Sequence, residues 1–517
     1  MMSTDGPGTR PRGSVARSSF LDALAVLAAR PPGRRRRVPF DYQLPDAGVF
    51  GVGGVGAAAG STSGEPAAAG AVSPDVVSPD AVGPLHDAVR SIRLGATSAV
   101  ELLQRSLDAV AAHNDELVGV VAMDVDAALA AAEELDADAA LGAWRGPLHG
   151  VPITVKDVID VSGLPTRCGS DAYFDRPDDD AVAVARARAA GAVVFAKVAT
   201  HEFALGVTSP QSRNPRDPSR IPGGSSGGSA VAVATGMGLA SIGTDTRASV
   251  RIPSALSGVV GFKPTYGRVA TEGIVSLAWT MDHAGVIAGS VADAALVLEQ
   301  LLGDGRRLAS VRPLDRTRAD GPLRLGVVGA GFDGADDALT EVVRTAIDAL
   351  AADGAAEVAD ASRPDAEDLA LANAAGLIVS RVEAAAAHRT LALDRSRYWE
   401  EVADQLDSAD EVAGVDYLDA QRVRGELAVA LLGQFRDHDV LVMPTSPVVA
   451  PPADDFARFL MVLSRNAIPW SFVGFPALSL PCGEVGGLPV GLQLVAAPDR
   501  EDLLVATGTA LERALAG

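Results

Sequence analysis

The chain has 517 residues, 48% of them hydrophobic and 21% charged, the composition of a globular protein with a sizeable core. Its 66 acidic and 44 basic residues leave a formal charge of −22, a field that repels polyanions and argues against nucleic acid as a partner. Cys168 and Cys482 make no disulfide framework, and seven scattered histidines show no HExxH or CxxC spacing, so buried thiols, no metal and no cofactor are expected.

Residues 1–80 read as a low-complexity, flexible N-terminal tail, rich in Arg, Pro and Ser and then in Gly and Ala, without periodic apolar positions. The apolar stretch Phe20–Leu27 contains Asp22 and precedes the basic cluster Arg34–Arg37, the wrong order for a secretory signal. No apolar run approaches the ~20 residues of a membrane span. A cytoplasmic protein without a membrane partner is the expectation.

Regular structure is expected from Pro84 onward. Ser98 and Glu101 form a capping-box signature ahead of Val100, Leu103, Leu107 and Val110, which predicts an amphipathic helix. An alanine-rich helix follows at about 124–140, then a strand at 151–155, a helix at 181–190 and a strand at 192–196. A Gly/Ser loop leads into a helix from about Ser229 and a short strand from Leu239 to Gly243. Further strands are predicted at 323–328 and 439–443, separated by helices across 338–352, 366–395 and 417–436. This alternation predicts an α/β layer fold with a largely buried sheet, in one domain over 81–517, since no Pro/Gly-rich linker interrupts it.

Three segments carry chemistry. In Gly150-Val-Pro-Ile-Thr-Val-Lys156-Asp157 an apolar strand ends in a lone lysine. Such a lysine is ordinarily solvated; held in an apolar place it loses its proton more easily and can act as a base. In Pro222-Gly-Gly-Ser225-Ser226-Gly-Gly-Ser229, glycines before a helix let the backbone turn sharply and approach a ligand. A phosphate cradle is the competing reading, weakened by the absence of GxxxxGK[ST] and GxGxxG patterns. In Gly243-Thr-Asp245-Thr246-Arg247-Ala248-Ser249-Val-Arg251, a serine follows small or polar residues whose amides could converge as an oxyanion hole, and Asp245 and Arg251 could pair to brace the loop. A plain polar turn is the alternative.

Taken in order and with their spacing, these segments resemble the amidase signature family. The resemblance continues through Gly258–Gly267, Met281–Gly285, Met443–Thr445, Gly474–Gly483 and Leu488–Leu494, and so covers roughly 84–517. It implies a single large domain whose mixed, twisted β-sheet is surrounded by helices, and a serine hydrolase that cleaves a small carboxamide. By the resemblance Ser249 is the nucleophile, Ser225 relays protons, and Lys156 is the neutral base, with a strongly depressed pKa. The relay serine of the family follows a cis peptide, which Gly224 suits. Ser226 would support the loop, and the amides of Thr246, Arg247, Ala248 and Ser249 would form the oxyanion hole.

Two departures from the family pattern stand out. Two glycines usually precede the nucleophile; here they are Arg247 and Ala248, which are costly if those positions need φ > 0. The Arg247 guanidinium would either face the pocket and bind a substrate carboxylate or carbonyl, or point away into solvent or a surface ion pair. Around Thr200-His201-Glu202-Phe203-Ala204 the pattern also differs, and His201 and His283 are either pocket residues or structural ones. Trp279, Met281, Trp470 and Phe472 are candidates for an apolar pocket or for core. The expected partner is a small amide, and homodimer formation is compatible with the sequence. Two alternatives remain. One is the glutamine-hydrolysing subunit of a tRNA-dependent amidotransferase, disfavoured because His201 and His283 stand where those relatives carry other residues. The other is a catalytically silent scaffold.

Overall fold

The Ser98 hydroxyl accepts the Glu101 N–H at 3.1 Å while the Glu101 carboxylate accepts the Ser98 N–H at 3.3 Å, and this reciprocal cap starts the helix Ala99–Leu117 where the sequence places it. The computed structural model describes residues 22–29, 83–302, 322–352, 354 and 356–516. The other expected helices follow with shifts of a few residues: Val125–Ala140, Val182–Ala189, Gly227–Ala234, Asp337–Ala352, Ala366–Leu391 and Gly414–Leu432.

Eleven strands form one mixed sheet among the described residues: β1 Val120–Met123, β2 Pro152–Lys156, β3 Val193–Val198, β4 Ala240–Thr244, β5 Val260–Lys263, β6 Ala284–Ala288, β7 Leu323–Val328, β8 Ala356–Ala361, β9 Val440–Pro444, β10 Ala477–Val485 and β11 Leu488–Val495. Their spatial order is β1-β3-β2-β4-β6-β5-β10-β11-β9-β7-β8, which joins the chain into one large α/β domain. β2 lies parallel to both β3 and β4, and β7 parallel to β8 and β9; the other pairs are antiparallel. β2, β3, β4, β5, β6, β9 and β11 are buried along their whole length, as expected of a sheet covered on both faces by helices.

Two expectations need correction. Most of residues 1–80 lies outside the described residues, but within that stretch, read as tail, residues 22–28 form a helix. Ala23 and Leu27, four positions apart and so on one face, are buried in the main core. The second concerns apolar length. The helix Ala366–Leu391 is long and apolar enough by composition to cross a membrane, and it is mostly buried inside the protein. Cys168 and Cys482 are free, buried thiols.

Candidate active site

Lys156 ends β2 and Thr244 ends its parallel neighbour β4, with Val155 opposite Ile242, so both side chains stand at the carboxyl edge of the sheet. Open α/β sheets bind ligands at that edge. The Lys156 ammonium donates to Ser225 Oγ and to Thr244 Oγ1, each at 2.7 Å, and the side chain is fully buried. Burial pushes its pKa down to about 7, against the opposing pull of Asp245, Asp282 and Cys168. A sizeable neutral fraction therefore exists at neutral pH.

Ser225 sits in the loop that enters the helix Gly227–Ala234. The Gly224–Ser225 peptide bond is cis, as the resemblance implies. A Cβ on Gly224 would lie 2.3 Å from the Thr208 carbonyl carbon, so only glycine fits there. The Ser225 carbonyl accepts from the Ser209 hydroxyl (2.9 Å) and the His201 N–H (3.2 Å). Ser226 ties this loop to the next one: its N–H donates to the Ser249 carbonyl and its hydroxyl to the Thr244 carbonyl, both at 3.2 Å.

The loop from β4 to the helix Arg251–Ser257 is braced from behind. Arg251 Nε donates to Asp245 Oδ2 (2.9 Å) and Nη2 to Asp245 Oδ1 (3.0 Å), in a fully buried bidentate pair. The remaining guanidinium donors reach the Ala467 carbonyl, Gln493 Oε1, Ser471 Oγ and the Arg247 carbonyl. Burial opposes the Asp245 charge, but Arg251 outweighs it and holds the carboxyl well below the usual carboxylate range. Asp282 accepts the Thr246 hydroxyl at 2.6 Å. Among the described residues no acceptor takes the N–H of Thr246, Arg247, Ala248 or Ser249, so four consecutive amides have no protein partner there. Neither Arg247 nor Ala248 has a positive φ, so their side chains carry none of the backbone cost that replacing glycines could have brought. Ala248 packs among Val207, Ile221, Ile252 and Leu256.

Ser249, Thr246, Arg247 and Ala248 line a narrow chamber of about 20 Å³ together with Leu205, Leu277, Ser380, Arg381 and Gln405. It adjoins a vestibule of about 540 Å³, the two sharing Leu205, Gly206, Val207, Arg247, Arg381 and Gln405. Arg247 thus faces the pocket, which decides between the two orientations left open by the sequence. The structure brings Lys156 and Ser225 into contact and the loops of Ser225 and Ser249 together. The Ser225 and Ser249 hydroxyls make no hydrogen bond to each other; such contacts often tighten only once substrate is bound.

His283 is structural. Its Nδ1 faces the Met281 and Asp245 carbonyls, and burial lowers its pKa well below the ordinary value, which keeps it neutral. His201 contacts Glu401 at 3.0 Å and packs edge-on against Trp399. Met281, Trp470 and Phe472 are core residues, and Trp279 is exposed. Sequence reasoning missed Thr244 and Arg381. Arg381 left one usable trace, an arginine inside the apolar run Leu377-Ile-Val-Ser-Arg-Val. No cluster of His, Cys, Asp and Glu able to hold a metal occurs among the described residues.

A family model described as Amidase matches residues 101–505. An amidase of Pseudomonas putida is 38% identical over 422 residues, 77% of this chain and 89% of that protein. A glutamyl-tRNA(Gln) amidotransferase subunit from Anaeromyxobacter sp. (strain K) is 37% identical over 484 residues, 83% of this chain and 96% of that protein. A crystal structure of an amidase superposes with a TM-score of 0.75 at 36% identity, covering 83% of this chain and 99% of the other.

Proposed function

The chain belongs to the amidase signature family, and on that premise we propose that it hydrolyses the C–N bond of a small linear carboxamide through an acyl-enzyme on Ser249. The observation that carries the reading is the buried Lys156 amine, 2.7 Å from Ser225 Oγ and with its pKa lowered to about 7. A neutral amine there can take a proton, which an ordinary surface lysine at pH 7 cannot.

In this mechanism Ser249 Oγ attacks the amide carbon. Its proton passes to Ser225 Oγ as Ser225 gives its own to Lys156 Nζ. The tetrahedral oxyanion is received by the unengaged amides of residues 246–249. The Lys156 ammonium then returns a proton through Ser225 to the leaving nitrogen, the C–N bond breaks, and ammonia or an amine departs. Water enters by the same relay and hydrolyses the ester, releasing the carboxylate and restoring the Ser249 hydroxyl.

The test is release of ammonia or amine by the purified chain from a panel of aliphatic, aryl and amino-acid amides. Turnover of at least one amide, lost in Ser249→Ala, supports the reading; turnover that survives Ser249→Ala overturns it. The likeness to the Anaeromyxobacter protein supports a second reading, in which the chain works within an amidotransferase. Under it the purified chain alone would be inactive and gain activity only when mixed with partner subunits.

A further inference from the structure

Of the described residues walling the inner chamber beside Ser249, only two are charged, and both are arginines. Arg247 comes from the loop just before the nucleophile, Arg381 from the middle of the helix Ala366–Leu391. Glu400, Glu401 and Asp454 line the outer vestibule, which both arginines also border, and not the inner wall. The acid nearest to Arg247 in sequence, Asp245, is engaged with both oxygens by Arg251. Arg247 is partly buried; among the described residues its enclosed Nε has no hydrogen-bond partner and no ion pair includes it. Arg381 is almost fully buried and donates from Nη1 to the neutral Ser408 hydroxyl at 3.2 Å. Burial pushes the Arg247 pKa down to about 10; burial first, and then the charge of Arg247, push that of Arg381 to about 9. Both stay cationic at neutral pH. Two cations close enough to repel, one without a counter-charge, are a costly use of a pocket wall unless an anion arrives from outside.

We propose, resting on the amidase reading above, that the substrate bears a carboxylate close to the scissile amide, received by the guanidinium groups of Arg247 and Arg381. The class is the short half-amide of a dicarboxylic acid, hydrolysed to the dicarboxylate and ammonia. Planar guanidinium forks match carboxylate geometry, which Lys does not. The size of the chamber narrows the choice. With roughly 10–15 Å³ needed per water, the space of about 20 Å³ beside Ser249 holds a group of carboxylate size, and any bulkier part of a substrate would lie in the adjoining vestibule. Position narrows it further. Arg247 offers its backbone N–H at the reacting carbonyl and its side chain to the carboxylate, so one residue reads both ends of a short molecule.

The experiment compares malonamate with propionamide and succinamate with butyramide, pairs alike in length and differing in the carboxylate, using the purified full-length chain. Ammonia release should favour each acid over its neutral partner by about 100-fold or more in kcat/KM. Arg247→Gln and Arg381→Gln should each shrink that ratio on the order of 10- to 100-fold, mainly through KM, and Arg247→Lys should recover part of it. Circular dichroism melts confirm that the variants fold. Calorimetry on Ser249→Ala supplies a readout that needs no turnover: succinamate should bind, and butyramide should not. Neutral amides cleaved as well as the acids, with no binding preference, overturn the proposal and leave the amidase reading standing. Arg247-dependent binding of succinamate without cleavage of any amide upholds the recognition and removes the amidase reading. Absence of both binding and cleavage overturns the proposal.

Discussion

Arg247, on the loop after β4, and Arg251, the first residue of the helix that follows, stand four residues apart and are treated in opposite ways. On the inner face, Arg251 is wholly buried, and every donor nitrogen meets Asp245, Ser471, Gln493 or a carbonyl. On the cavity face, Arg247 makes no such contacts among the described residues, and the amides of residues 246–249 are equally unengaged there. Buried polar groups are nearly always paired, so the difference separates what the fold needs from what it leaves for a ligand. Lys156 and Ser225 belong with the first group in burial and hydrogen bonding, and with the second in purpose. In the proposed mechanism their internal contacts hold the base in place before substrate comes.

The contrast can be broken most sharply at Lys156. Lys156→Met keeps the bulk and removes the base, and turnover should fall by about 10,000-fold or more while the melting temperature shifts by only a few degrees. Parallel losses of folding and activity would assign Lys156 to the scaffold instead. The next largest effect belongs to the brace. Asp245→Asn leaves Arg251 buried without its carboxylate, and denaturant unfolding should register a loss of about 3–5 kcal/mol. A third effect is set by proton balance. Lys156 must be neutral to act, and its pKa is lowered to about 7, so kcat/KM should fall about tenfold per pH unit below 7 and level off above about 8. An inflection near the ordinary lysine value would contradict the burial argument. The smallest effect sharpens the comparison from the other side: Arg247→Ala should change stability by less than about 1 kcal/mol, because no internal partner is lost.

What could be read from the sequence follows the range of the forces involved. The capping box at Ser98 and the apolar run Leu323–Val328 are local signals, and both elements form where expected. Strands β5, β6, β10 and β11 gave no comparable signal. They are short or rich in glycine and proline, β10 carries an irregularity between Pro481 and Gly483, and the conformation of β5 and β10 is fixed by pairing with each other across more than 200 residues of sequence. The site divides in the same way. Lys156, Ser225 and Ser249 lie in ordered motifs and could be named together. Thr244 became a partner of Lys156 only through the parallel pairing of β2 with β4, and Arg381 reaches the chamber from a helix more than a hundred residues downstream. The Arg247–Ala248 departure from glycine raised the right question. Only the backbone answered it, by placing neither residue at positive φ.

The central claim is that Ser249 is the nucleophile and that a buried, readily neutral Lys156 activates it through Ser225. Incubation of the native chain with a fluorophosphonate, followed by intact mass and peptide mapping, tests this most directly. The account predicts one adduct, located on Ser249, absent from Ser249→Ala, and forming far more slowly in Lys156→Met. An adduct on Ser225 or on a residue outside the chamber, or labelling at an undiminished rate in Ser249→Ala, would contradict it.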